Sequence, residues 1–128
     1  MNWIIDQIAI GNYRDAAAPP SDIDAVLCLR EDCCDAGRTD VDVLCIPLID
    51  GPGNDPRRVQ QAIRFIADVV DASDKILVHC HAGRSRSVVV VARYLVEHRG
   101  MTRDAALALI GERREIYLSS GIEELLAP

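Results

Sequence analysis

Between Lys75 and Gly100 the chain reads KILVHC, then HAGRSRS, then VVVVARYLVEHRG, and no other stretch constrains the fold as much. A short apolar run bounded by DASD and a glycine-containing loop has the length and composition of a buried strand. The segment after it is ambiguous on propensity alone, because its consecutive valines favour a strand and a hairpin would accommodate them. Two features favour a helix. The apolar pattern continues through Ala92, Tyr94, Leu95 and Val96, and Gly100 stands where a C-terminal cap belongs. Strand, loop, helix is the repeating unit of layered α/β folds.

The remaining segments extend this reading. WIIDQIAIGN reads as two short strands with a tight connection, and AVLCLRE and DVLCIPLID as two more, with AAAPPSDID and DCCDAGRTD supplying turn chemistry. From Asn54 the period becomes helical. Asp55 can cap, Pro56 suits the first helical position, and Val59, Ala62, Ile63, Ile66, Val69 and Val70 form a stripe ending near Ser73. Thr102 caps a further helix with Ala105, Ala106, Leu109 and Ile110 on one stripe, before the basic pair Arg113 and Arg114, and GIEELL suits a last short helix. The expected architecture is α/β: a central, largely parallel sheet of about 4–5 strands covered by helices. A length of 128 residues fits one domain, 1–128, with a single core.

Composition narrows the function classes. A net charge of −6 argues against a protein that coats nucleic acid, so any bound anion must meet a local positive site. No apolar run approaches the roughly 20 residues of a membrane span, and the opening MNWIIDQIAIGN lacks a basic leader followed by a long apolar stretch. A cytoplasmic, monomeric protein is the expectation. The five cysteines are odd in number and lack paired C-x-x-C spacing, which argues against a disulfide framework or a zinc ribbon. Cys28 and Cys45 lie in apolar runs and read as small buried hydrophobes. Cys33 and Cys34 sit in polar EDCCDAGRTD; oxidation is open to them, but selective sensing requires a lowered pKa.

The chemistry concentrates in HCHAGRSRS, residues 79 to 87. With KILVHC a strand and a helix from Ser87, the intervening loop lies at the carboxyl end of the strand and the amino end of the helix, where α/β sheets bind ligands. Backbone N–H groups of the helix start and of a turn at Gly83 can point inward, making a cup for a tetrahedral anion. Cys80 would sit at its bottom. Inward dipoles and nearby cations lower a thiol below its free value of ~8.5, so a thiolate would exist at neutral pH. Arg86 is far enough round the loop for its planar fork to turn back over the cup and hold two phosphate oxygens. It would also stabilise charge spreading over those oxygens in the transition state. Ser87 can hydrogen-bond the sulfur and help it leave. His81, Ala82, Gly83, Arg84, Ser85 and Arg86 form the expected substrate-binding loop, and His79 reads as an organiser of its backbone.

The residues His79, Cys80, Gly83, Arg86 and Ser87 match the His-Cys-x-x-Gly-x-x-Arg-Ser signature, and through them the chain resembles the cysteine-dependent protein tyrosine phosphatases, most of all their dual-specificity branch. IAIGN resembles the family's opening, CIPLIDG its acid loop, and MTRDAALALI the helix after the catalytic one. The resemblance implies a metal-free, cofactor-free reaction in two steps. Cys80 attacks phosphorus while an aspartic acid protonates the leaving oxygen, and the same carboxylate then activates water. Asp50, directly after the strand LCIPLI, is at the family's position for that acid. On residue type alone Asp50 is a turn former, since Pro, Gly and Asn follow it; Asp55 is the fallback, although it stands where a helix cap belongs. Where many relatives have Pro-Asn before a glycine near the end, this chain has Leu118 and Ser119 before Ser120 and Gly121, which leaves support of the loop from that segment open. No segment resembles the phosphotyrosine-recognition loop of the larger classical enzymes.

The implied substrates are phosphorylated proteins, phosphotyrosine first and phosphoserine or phosphothreonine beside it, or small phosphomonoesters. Three competitors stand against this reading. A metal site would use His79, Cys80 and His81, but it needs a further ligand and His98 is the sole remaining histidine. A binding module would hold a phosphorylated partner without turnover. A phosphatase of another anion, a phosphoinositide or a nucleotide, would use the basic groups of His81 and Arg84. Arg84 reads equally as a solvated loop arginine. Arg57, Arg58, Arg113 and Arg114 read as solvated charge, and Trp3 and Tyr94 as packing residues.

Overall fold

The computed structural model describes residues 1–32 and 39–126; the expectations about Cys33 and Cys34 lie outside that range. Five strands form one sheet in the order β1-β2-β5-β3-β4: β1 Asn2–Ile5, β2 Ile8–Gly11, β3 Ala25–Cys28, β4 Asp42–Cys45 and β5 Ile76–His79. β1 pairs antiparallel with β2 through the tight connection read from WIIDQIAIGN, and every other neighbouring pair is parallel. The sheet is therefore largely parallel, with one antiparallel edge strand.

Alternation along each strand divides two cores. Ile8 and Ile10, Ala25 and Leu27, and Ile76 and Val78 face α2 (Pro56–Asp71), α3 (Arg86–Arg99) and α4 (Arg103–Arg113) in the main core. Ala9, Val26 and Leu77 face the other way and meet Ala16 of the short α1 (Tyr13–Ala17) together with Ile23. Burial on both faces explains why β2, β3 and β5 are apolar, save for His79 at the end of β5, rather than alternating.

The helix boundaries follow the capping chemistry. Asp55 accepts from the Arg57 N–H with Pro56 in the first turn, Thr102 accepts from the Ala105 N–H, and Gly100 ends α3 at φ 66°. The four valines lie in α3 and are fully buried there, so burial between the sheet and the neighbouring helices overrides their strand preference. The last segment is a 3₁₀ turn, Ile122–Leu126, rather than an α-helix.

Three expectations need correction. β4 ends at Cys45, not next to Asp50, because Pro47 has no N–H to give to a ladder; pairing continues only through Ile46 N–H to Cys28 O and Leu48 N–H to Leu29 O. α3 begins at Arg86 rather than Ser87, with Ser85 at the cap position. α1, Tyr13–Ala17, takes in the first two residues of AAAPPSDID, read as turn chemistry: Asn12 and Asp15 form a reciprocal capping box whose sequence signal, Asn-x-x-Asp, is present but short.

Candidate active site

The parallel register sets the site's location. Gly11 pairs with His79, His79 with Cys28, and Cys28 with Cys45, so the last residues of β2, β5, β3 and β4 stand in one row. The loops that leave this row converge on one edge. They include the Cys80–Ser85 loop, the Asn12 cap of α1 and the segment from Ile46 to Asp50.

The loop's orientation is set by where its carbonyls go. Cys80 O accepts from His79 Nδ1 at 3.1 Å, and His81 O accepts from the Tyr13 N–H at 3.0 Å. Ala82 O and Gly83 O accept from Arg114 Nη2 and Nε at 3.0 and 2.6 Å. Arg84 O accepts from the Tyr117 N–H at 2.9 Å, and Ser85 O from the Val89 N–H at 3.0 Å. Each carbonyl from Cys80 to Ser85 is thus held by a donor belonging to the surrounding scaffold. With its acceptors tied outward, the loop turns N–H groups toward its concave side, and those of Gly83 and Ser87 bond the Cys80 sulfur. Only glycine fits position 83. Its φ is 70°, and a side chain there would run into the Gly11 carbonyl and Arg114.

Cys80 lies at the bottom, 2% exposed. Burial alone would raise its pKa, but four opposing influences outweigh burial and hold the thiol below its ordinary value: the Ser87 hydroxyl 3.3 Å from Sγ, the Ser87 N–H, the Arg86 charge and the Gly83 N–H. His79 is wholly buried. Because Cys80 O can only accept, Nδ1 must carry the ring proton, and burial lowers the imidazole pKa so that it stays neutral.

Arg86 reaches back beneath the cup. Its Nη1 donates to Leu48 O at 3.2 Å, while its buried Nε meets no protein partner among the described residues. A buried guanidinium N–H of this kind favours an anion beside it. Asp50 lies across the opening. Its Oδ1 accepts from Ser85 Oγ and its Oδ2 from Ser119 Oγ, each at 2.7 Å, and the Ser119 N–H closes the triangle by donating to Ser85 Oγ at 3.0 Å. Asn54 clasps the turn beside it, bonding both N–H and C=O of Ile49 and the carbonyl of Gly51. The cavity enclosed by Asp50, Cys80, Arg86, Tyr117 and Ser119 measures about 210 Å³. Recesses of about 600 and 770 Å³ elsewhere are lined by no cysteine or serine.

The structure therefore brings Cys80, Arg86, Ser87 and Asp50 to one edge. It leaves His81, Ala82 and Arg84 exposed on the rim, with Arg84 Nη1 3.9 Å from Glu115. Ser85 lines the same cavity, and its hydroxyl donates to Asp50 Oδ1. Asp55 is engaged as a helix cap. Among the described residues no group of three His, Cys, Asp or Glu side chains has metal-holding geometry.

Comparison with known proteins agrees with this geometry. Residues 10–126 match the profile of the dual specificity phosphatase catalytic domain. The chain belongs to the dual-specificity phosphatase family. It is 34% identical over 104 residues to the human dual specificity protein phosphatase 22, covering 75% of this chain and 54% of that protein. Over 50 residues it is 42% identical to the phosphatidylglycerophosphate phosphatase PTPMT1 of Arabidopsis thaliana, covering 39% of this chain and 15% of that protein. The chain thus spans about half the length of the first of these relatives and far less of the second. A crystal structure of a mouse putative dual specificity phosphatase complexed with zinc tungstate superposes with a TM-score of 0.88 at 25% identity, covering 98% of this chain and 82% of that one.

Within the dual-specificity phosphatase frame, two residues hold places at the site that their sequence context does not show. Arg114 is not the solvated charge expected of it. α4 ends at Arg113, the backbone of Arg114 is extended, and the side chain turns under the loop to bond Ala82 and Gly83 and also Asn2 Oδ1 at 2.9 Å. Nothing local separates it from exposed Arg113. Ser119 answers the question left by the missing Pro-Asn pair, since its backbone and hydroxyl support Ser85 and Asp50.

Proposed function

We propose that this chain hydrolyses phosphomonoesters with Cys80 as nucleophile. The carrying observation is the pairing of a thiol held below its ordinary pKa with a loop whose carbonyls all face away from it. In the first step Sγ forms a bond to phosphorus as the P–O bond to the leaving group breaks, and protonated Asp50 gives its proton to the departing oxygen. In the second step the Asp50 carboxylate takes a proton from water, the water oxygen bonds phosphorus, and the S–P bond breaks with the electron pair returning to sulfur. Ser87 donates to that sulfur. The N–H groups of residues 81–86 and the Arg86 guanidinium hold the phosphoryl oxygens, with Arg86 Nε as the donor that an anion would satisfy. The mouse neighbour is complexed with zinc tungstate, and tungstate is a tetrahedral oxyanion, which supports an anion-binding reading of the shared fold.

Phosphotyrosine-bearing proteins are the leading substrates, and a cytoplasmic single-domain monomer is the working picture. A second reading keeps the chemistry and changes the substrate: His81 and Arg84 put exposed basic side chains on the rim, and one relative carries the name of a lipid-phosphate phosphatase. The test is turnover with chelator present on phosphotyrosine and phosphoserine peptides, nucleotides and inositol phosphates, for the natural chain and for Cys80→Ser. Metal-independent turnover lost in Cys80→Ser is the expected result. Binding without turnover in the natural chain would reject catalysis in favour of a phospho-binding module.

A further inference from the structure

Three large apolar side chains stand exposed among the described residues: Val43, Ile49 and Tyr117. Two of them border the site. Ile49 immediately precedes Asp50, and Tyr117 lines the cavity that contains Cys80, Asp50 and Arg86. Tyr117 is 74% exposed, an unusual position for an aromatic ring that could be buried. Its placement is nevertheless fixed. The Tyr117 N–H donates to Arg84 O at 2.9 Å, and Arg114 and Ser119 on either side of it are bonded to the phosphate loop and to the Ser85–Asp50 pair. A hydrogen-bonded backbone thus holds a solvent-facing ring at the mouth of the cavity that contains Cys80. Two recesses share Asp50 and Arg86: one of about 310 Å³ is lined by the ionisable side chains of Arg30, Glu31, Asp32 and His81, and the other, of about 210 Å³, holds Cys80 and is bordered by the Tyr117 ring, so an aryl substrate body finds its apolar wall on the Tyr117 side.

We propose that Tyr117 is a specificity-determining residue: its ring forms the apolar wall against which the aryl group of an aryl phosphomonoester, phosphotyrosine above all, packs while the phosphate occupies the Cys80 loop. This deepens the reading above and rests on it. An aryl leaving group gains an offset or edge-on contact with the tyrosine ring; a serine or threonine phosphate leaves that ring in water. Neither the nucleophile nor the acid depends on it, so the contact acts on substrate binding.

The experiment compares the natural chain, Tyr117→Ala and Tyr117→Phe. It measures kcat and KM on a phosphotyrosine peptide, and inhibition by inorganic phosphate, which carries no ring. Tyr117→Ala is expected to raise KM for the peptide roughly fivefold to tenfold, the size of an aromatic pair contact, with kcat little changed and phosphate inhibition unaltered. Tyr117→Phe is expected to restore KM, since the ring and not the hydroxyl is invoked. An unchanged KM in Tyr117→Ala, or a parallel weakening of phosphate, would overturn the proposal while leaving the phosphatase reading intact. Absence of turnover by the natural chain on every phosphomonoester would reject both.

Discussion

Arg114 Nε lies 2.6 Å from the carbonyl oxygen of Gly83, and its Nη2 lies 3.0 Å from that of Ala82. One side chain from the end of α4 thereby decides which way two peptide groups of the phosphate loop face. The anion-binding surface is a consequence of where the carbonyls are anchored.

Replacing Arg114 should therefore damage anion binding from outside the cup. Arg114→Met leaves two carbonyls without their charged donor, which predicts a loss of about 1–3 kcal/mol in stability and weaker inhibition by inorganic phosphate. Arg114→Lys retains the charge but cannot bond both carbonyls with one planar fork, and should recover only part of each. Thermal unfolding and phosphate inhibition check this; unchanged phosphate affinity in Arg114→Met would refute it.

The lowered pKa of Cys80 predicts a specific pH response. Because the fold favours the thiolate, inactivation by iodoacetate should persist as pH falls below the ~8.5 of a free thiol, and inorganic phosphate should protect. Removing a donor to the sulfur reverses part of the shift, so Ser87→Ala should move the midpoint upward. A midpoint at the free-thiol value in the natural chain would contradict the account.

Asp50 and Ser119 should separate by leaving group. Asp50→Ala is expected to lower kcat about 10²- to 10⁴-fold, as loss of a positioned acid does, on phosphoserine peptides and less on activated aryl phosphates, whose leaving groups depart without a proton. Ser119→Ala removes one of two hydroxyls bonded to Asp50 and should cost about three- to tenfold in the same pattern. Equal losses across leaving groups would remove Asp50 from the acid position.

Burial of His79 predicts an acid-sensitive fold. Its folded pKa is depressed, so the unfolded chain takes up a proton first; stability is unaffected well above ~6.5 and falls as pH drops through that value toward the lower folded one. Denaturant midpoints across this range should fall for the natural chain and fall less for His79→Asn.

The local pattern of the chain determined a good deal. Apolar runs buried on both faces marked β2, β3 and β5, caps at Asp55, Thr102 and Gly100 bounded the helices, and HCHAGRSRS carried the buried cysteine, glycine turn and arginine within nine residues. These are properties of near neighbours, which periodicity and spacing encode. Arg114, Ser119 and Tyr117 belong to no such pattern. Their partners Gly83, Asp50 and Arg84 lie more than thirty residues away in the chain, and they meet only because the parallel register sets four strand ends in one row and α4 returns the chain beneath the loop. Which of two adjacent arginines points to water and which to a peptide carbonyl depends on where the helix stops relative to that row, and only packing decides it.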